Sequence, residues 1–329
     1  MDTTTEKILR RRMHGLYLSR RCADITELSQ ALMGLHCWFH RNVAFSALIR
    51  GADLADWQTA LVKTWLYRGT LHGVAPQDLP TLLALHARGF RWGEPYRTIA
   101  ERAVALMEDG IYSRAEMRLI FADEYDRRVI ERALSPWGGV FCELAANGRV
   151  AFRDMTSRDF DLIDAVPTQS AAEVLPGLFR RFLTAYGPAT LADAAWFLGL
   201  GRERKQELTA LDLDEYRQFE VGKSVYYDIA EPSSMADIPR LTLLSGFDPI
   251  IVSYQERGAA LPPEYKRAVI MKSGICLPTV AVDGQIAGLW NLKKGKPFLE
   301  FFTPQPKKLH DAAMARVEEI SWRTNGRLL

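Results

Sequence analysis

Asp24-Ile25-Thr26-Glu27 places a short capping residue ahead of a helix and an acid three positions on. The same arrangement returns at Ser113-Arg114-Ala115-Glu116 and Thr190-Leu191-Ala192-Asp193. The capping oxygen accepts from free amides of the first turn, and the acid ties up another. An amphipathic segment follows each short helix, and then a β-rich stretch: residues 68–74, 148–152 and 222–227. Helix, turn, helix and β-ribbon is the order of a winged helix. Three copies in one chain imply a scaffold suited to embracing a nucleic-acid duplex.

The chain has 329 residues, 48% of them hydrophobic, enough for two to four small units with a sizeable core. No apolar run approaches the ~20 residues that cross a bilayer, so no membrane association is expected. Met1-Asp2-Thr3-Thr4-Thr5-Glu6 lacks the basic-then-apolar layout of a signal peptide. Cys22, Cys37, Cys142 and Cys276 lie far apart and form no CxxC pair, which fits reduced thiols in a cytoplasm. A net charge of +2 is close to neutral, so any electrostatic case for a polyanion rests on local clustering.

Helical spacing predicts helices over residues 3–18, 25–35, 41–49 and 57–67, with a connecting helix from Pro76 through Leu85. The second repeat reads as helices near 97–109, 114–122 and 126–146, the last interrupted by Pro136 and Gly138-Gly139, with a ribbon at 149–153 and 159–163. In the third, Leu175, Leu178, Phe179 and Phe182 form one apolar stripe over 171–186. A short helix ending near Leu200, a recognition-type helix over 202–211 and a hairpin over 216–228 follow. After Glu231-Pro232-Ser233-Ser234 the composition changes. Residues 241–303 alternate in β fashion around an Asp283-Gly284 turn, and residues 307–321 close the chain as a helix.

Four blocks carry a resemblance. They are Leu61-Val62-Lys63-Thr64-Trp65-Leu66-Tyr67-Arg68-Gly69-Thr70-Leu71-His72, Ala185-Tyr186-Gly187-Pro188-Ala189-Thr190, Leu244-Ser245-Gly246-Phe247-Asp248-Pro249-Ile250-Ile251, and Val282-Asp283-Gly284 with Gly288-Leu289-Trp290. Their order and content resemble the AlkZ/YcaQ-type DNA glycosylases. The resemblance implies an α+β chain of three tandem winged-helix units plus a β-rich C-terminal part, C-shaped, with a DNA-gripping concave face. The expected boundaries are 1–90, 91–168, 169–238 and 239–329. It also implies hydrolysis of the N-glycosidic bond of alkylated bases, including lesions left by crosslinking agents.

The family's catalytic motif follows Gly-Leu and reads Gln-x-Gln or Gln-x-Asp, whereas this chain reads Gly34-Leu35-His36-Cys37-Trp38-Phe39-His40. An alkylated N7-purine is cationic and leaves readily, so the protein mainly holds a water near the sugar carbon and stabilises positive charge. A neutral imidazole at position 36 can accept a water proton. Trp38, in the place of the second polar residue, offers only an N–H and cannot accept. If the segment is helical, His40 lies one turn beyond His36 on the same face and can compensate. Two readings stand: His36, with Trp38 and His40, forms an active site, or both histidines merely pack where one used to be. A helical zinc pair is disfavoured because position 37 is Cys instead of the HExxH glutamate. No metal and no cofactor are expected.

Phosphate binding calls for grouped Lys and Arg. The candidates are Arg11 and Arg12, Arg20 and Arg21, Arg202 with Arg204 and Lys205, and Lys293 and Lys294 with Lys296. Trp38 and Phe39 are candidates to stack on a base or wedge into the duplex. Asp248, Tyr254 and Arg257 either border the cleft or, as a buried Asp–Arg pair, hold the β part together. Two functions follow. One is a DNA glycosylase for alkylated or bulky-adduct purines, working as a monomer on damaged double-stranded DNA in the cytoplasm, nucleoid-associated. The other is a non-catalytic winged-helix protein that binds DNA, sequesters a lesion or drug, or regulates transcription.

Overall fold

Asp2 accepts from the amides of Thr4 and Thr5 and so starts α1 (Thr3–Gly15), which buries Ile8, Leu9 and Met13. The computed structural model describes residues 2–86, 91–201, 204–229 and 235–324. It divides into a terminal unit, residues 1–55 with 177–329, and a central unit, residues 56–176.

The first repeat opens as its sequence demands. Asp24 accepts from Glu27 N–H at 2.8 Å, and Glu27 reaches back to Ala23 N–H at 2.8 Å, to begin α2 (Ile25–Ala31). The helix stops short of Leu35 because Met33 (φ 57°) and Gly34 (φ 107°) reverse the chain. Leu35 and His36 are then extended as β1 (Leu35–His36), and α3 (His40–Ile49) follows.

The helix expected over 57–67 is absent. That segment carries turns and then β2 (Val62–Trp65), which leads through Tyr67-Arg68-Gly69 into β3 (Leu71–Val74). Val62 pairs with Val74 and Trp65 with Leu71, while Lys63 meets Phe152 of the next ribbon. β-Branched and aromatic residues gain more from this pleated, half-buried surface than from a lone amphipathic helix. The hairpins of the first and second repeats thus share one antiparallel sheet in the central unit.

After α4 (Leu79–Ala84) come α5 (Tyr96–Glu108), α6 (Arg114–Phe121), α7 (Arg127–Ala133) and α8 (Val140–Ala146). The ribbon β4 (Val150–Phe152) with β5 (Phe160–Leu162) extends the sheet. Ile99, Met107, Met117, Phe121, Phe141 and Phe160 fill the core between helices and sheet, with the Phe141 and Phe160 rings stacked at 4.3 Å. α9 (Ala171–Tyr186) carries the chain across the boundary between the units.

Thr190 and Asp193 complete a reciprocal capping box at 3.0 and 3.1 Å on α10 (Leu191–Phe197). Then come α11 (Lys205–Thr209) and the two-stranded ribbon β6 (Arg217–Val221) with β7 (Ser224–Asp228). The remainder is β8 (Leu241–Leu244), α12 (Pro249–Val252), α13 (Lys266–Val269), β9 (Thr279–Val282), β10 (Gln285–Lys293), β11 (Lys296–Phe301) and α14 (Lys307–Thr324). Its strands form an antiparallel sheet in the order β11-β10-β9-β8. Asp283-Gly284 and Lys294-Gly295 take positive φ at both turn positions, as two-residue type I′ hairpins require. Gly288 permits the β10–β11 approach, because a Cβ there would lie 2.2 Å from Glu300 O. Trp290 is fully buried, donates to Leu244 O at 2.9 Å and meets Phe45 of α3 at 5.1 Å.

In the central unit His72 is buried and in hydrogen-bond contact with Thr70 O through Nδ1 at 3.0 Å. Burial pushes its pKa from 6.5 down to about 4. A folded value below the unfolded one means that the neutral ring's stability is complete above pH 6.5 and is lost as pH falls towards 4. The urea midpoint of the central unit should therefore drop through that window, and His72→Gln should remove that part of the slope. A pH-independent difference between native and variant midpoints would contradict a neutral buried histidine.

Candidate functional site

The site expected from the sequence lies on the link between β1 and α3. His36 and His40 do not share a helix face, because residue 36 is extended and α3 starts only at His40. The i, i+4 compensation therefore has no structural basis. Leu35 and Cys37 point into the core, whereas Trp38 and Phe39 are each 37% exposed. Residues 35–38 alternate as an extended segment with one buried face does, and the alternation breaks at Phe39, just before α3. Trp38 and Phe39 both expose ring surface on the loop that follows His36.

That imidazole stacks on Phe247, with ring centroids 4.1 Å apart and planes within 8°. Phe39 tilts against the same phenyl at 6.4 Å, and the Arg41 guanidinium lies 6.0 Å from the Phe39 ring. The Trp38 backbone N–H points at His36 Nδ1 at 3.5 Å, a long, weak contact. An accepting Nδ1 puts the proton of the neutral ring on Nε2. In this arrangement Nε2 is a donor, able to hold a water through its oxygen. Taking up the water's proton requires the other tautomer, which gives up the Trp38 contact.

Phe247 belongs to a turn that follows β8 and is held from several sides. Its φ of 56° costs an L-residue about 1–2 kcal/mol. Asp248 compensates: its carboxylate accepts from Ser245 N–H and Oγ–H, each at 3.2 Å, and from Ile250 N–H at 3.3 Å. It also takes a two-pronged bond from Arg50 at 3.1 and 3.0 Å, both side chains being 0% exposed. Arg50 is the C-cap of α3 and donates further to Leu16 O at 2.7 Å and Ser46 Oγ at 3.0 Å. The same helix presses Asn42 against Gly246, where a Cβ would sit 2.8 Å from the amide nitrogen. One end of α3 therefore leads out of the His36 loop while its other end fixes the turn on which His36 rests.

Of the three residues expected to border a cleft, Asp248 and Tyr254 lie buried in the core. Asp248 is a buried structural anion, paired with Arg50 and not with Arg257. Tyr254 is fully buried, donates to Tyr186 O at 2.9 Å and lies under the Arg12 guanidinium at 3.7 Å. Burial pushes its phenol pKa well up. Arg257 donates to Ile251 O at 2.9 Å.

The basic groups also divide. Arg11 and Arg12 are buried: Arg11 pairs with Asp228 at 3.1 Å, and Arg12 donates twice to Pro188 O, at 3.0 and 2.9 Å. Burial raises the Asp228 pKa to about 6 against the pull of Arg11. Both arginines are thus internal struts and are not presented to a phosphate, which corrects the expectation for them. Arg204 forks onto Glu207 at 3.0 Å through both Nε and Nη2. Arg202 lies outside the described residues. Arg20, with its guanidinium 3.7 Å over the Tyr17 ring, is exposed, as are Arg21 and Lys205. Lys293, Lys294 and Lys296 are exposed at the β10–β11 hairpin, with Lys293 Nζ 3.3 Å over Phe298. Among the described residues no three His, Cys, Asp or Glu gather as a metal site, and no helix is long and apolar enough to cross a membrane.

Phe247, Arg50 and Asn42 were not singled out by residue type. A left-handed phenylalanine leaves no mark in composition, and Arg50 and Asp248 are 198 positions apart. The block from Leu244 to Ile251 was the one signal that pointed to this turn.

A family model described as DNA glycosylase AlkZ-like matches residues 46–319, a span that starts after the His36 loop. An interstrand DNA cross-link repair glycosylase of Streptomyces sahachiroi is 26% identical over 276 residues, covering 73% of this chain and 72% of the relative. The solved structure of Streptomyces sahachiroi DNA glycosylase AlkZ matches with a TM-score of 0.77 at 23% identity, over 98% of both chains. This last likeness supports the mixed α+β fold.

Proposed function

Because the chain belongs to the AlkZ-like DNA glycosylase family, we propose that it hydrolyses the N-glycosidic bond of alkylated or bulky-adduct purines in damaged double-stranded DNA. The relative from Streptomyces sahachiroi is named for cross-link repair, and the proposal extends to adducts of that bulk. The three helix–helix–hairpin segments act as winged helices, with sequence boundaries at 1–90, 91–168, 169–238 and 239–329, and the chain works as a monomer.

The observation that carries the reading is the imidazole of His36, stacked on Phe247 at the start of a loop that exposes Trp38 and Phe39. In the reaction the C1′–N9 bond breaks with its electron pair leaving on the base. An alkylated N7 makes that base cationic beforehand, so it departs neutral without an acid from the protein. A water oxygen bonds to C1′ as its proton passes to His36 acting as base or to bulk water, the two routes that the pH comparison with His36→Gln separates. His36 is the one polar side chain left of the family's two-residue motif, and it holds that water. Trp38 cannot replace the second residue as an acceptor. Trp38 and Phe39 instead offer flat apolar faces to a displaced base.

The direct test is release of free 7-methylguanine from methylated duplex DNA, leaving an intact strand with an abasic site. Tight duplex binding with no release from several alkylated substrates would favour the non-catalytic reading.

DNA contact through the β10–β11 hairpin makes a separate expectation. Exchanging Lys293, Lys294 and Lys296 for Gln should lower the slope of log K against log salt by about 0.9 for each lysine that neutralises a phosphate. Equal slopes for native and variant would place the hairpin away from the backbone.

A further inference from the structure

We propose that Phe247 is a positioning residue for the reaction, its phenyl ring fixing the plane in which the His36 imidazole meets the water. The proposal rests on the catalytic reading of His36. The torsion about a histidine Cβ–Cγ bond is intrinsically broad. His36 itself sits on a two-residue strand between the Met33-Gly34 reversal and a surface loop. Local backbone structure therefore leaves the ring orientation soft. The parallel stack on Phe247 at 4.1 Å removes that freedom on one face, and the Trp38 N–H addresses Nδ1. The stack and the Nδ1 contact together define the plane in which Nε2 points.

The support under the imidazole is itself rigid. Phe247 N–H donates to Cys276 O at 3.2 Å, and Asp248 N–H closes the turn on Ser245 O at 3.2 Å. The buried Arg50–Asp248 pair ties this turn to α3. A turn at φ 56° is easier for glycine than for phenylalanine, and this phenyl is only partly buried. Neither turn geometry nor core packing therefore explains a phenylalanine here, whereas the stacked imidazole does. Strained backbone that is held by its surroundings is the form in which pre-organised sites occur. Rotating the imidazole by roughly 30° about Cβ–Cγ would carry a water hydrogen-bonded to Nε2 about 1 Å, and misplacement of that size can cost about 100-fold in rate.

The experiment compares single-turnover release of 7-methylguanine from methylated duplex by native protein, Phe247→Leu, Phe247→Gly, Phe247→Tyr and His36→Ala. Phe247→Leu should slow excision about tenfold at unchanged duplex Kd, and Phe247→Tyr should restore it. Phe247→Gly relieves the backbone, so its equal loss of rate cannot come from misfolding. Carbon–proton NMR of the six histidine rings, with His36 assigned by its absence in His36→Ala, reads the stack without activity. The His36 resonances should leave their ring-current-shifted positions in Phe247→Leu and Phe247→Gly. A native excision rate in those two variants, or unmoved His36 resonances, would overturn the proposal. Loss of activity in His36→Ala with none in Phe247→Leu defeats positioning alone. A native rate in His36→Ala removes the catalytic reading and the proposal with it.

Discussion

Asp248→Ala should cost the terminal unit about 3–5 kcal/mol, the usual penalty for deleting one partner of a buried ion pair. The magnitude follows from what remains behind. Arg50 keeps its bonds to Leu16 O and Ser46, but its guanidinium stays at 0% exposure with no counter-charge. Ser245 and Ile250 lose the acceptor for their backbone N–H groups at the same time. The check is a double-variant cycle read by urea unfolding. Asp248→Leu and Arg50→Met should each lower the midpoint strongly, and the two combined should recover a large part, since well-packed apolar pairs often replace buried ion pairs without loss. Additive losses in the double variant would mean that the two side chains contribute independently, contrary to their geometry.

The consequence reaches the site. Asp248 braces the turn that carries Phe247, and Phe247 carries His36. A conservative Asp248→Asn change, which keeps the shape but weakens the grip on Arg50, is expected to reduce excision even at temperatures where the protein stays folded.

How much of this was legible beforehand depends on whether the governing contact was local. The capping residues Asp24, Ser113 and Thr190 all accept from amides of their own first turns, as nearest-neighbour chemistry dictates. The Asp283-Gly284 turn is legible for the same reason. Residues 57–67 failed the helical reading because their pairing partners, Val74 and Phe152, lie elsewhere in the chain. Arg11 and Arg12 were misplaced in the same way. A basic run on a helix looks solvated until Asp228 and Pro188 O, both far along the chain, are brought against it. At the site, the His36–Cys37–Trp38 departure was visible by residue type. The support under it was not, because a stack between residues 36 and 247 is a product of the fold.

His36→Ala is the substitution that bears most directly on activity, and single-turnover excision should fall about 100-fold, within the range for removing a group that handles a proton. The lower end of that range is appropriate because the cationic base is already a good leaving group. Most of the remaining barrier concerns where the water sits and how the sugar's positive charge is met. His36→Gln sharpens the test. It restores the residue type that the resemblance implies at the motif's first position, and an amide can hold a water through its carbonyl. Gln should therefore retain far more activity than Ala. The two polar side chains differ in one respect, since only the imidazole titrates. If His36 takes the water's proton, the native rate must fall on acidification relative to His36→Gln between about pH 8 and 5. If it only donates through Nε2, as the Trp38 contact favours at rest, the ratio of the two rates stays level. A native rate in His36→Ala would instead leave His36 a packing residue against Phe247. Any glycosylase activity would then have to be driven from another part of the surface.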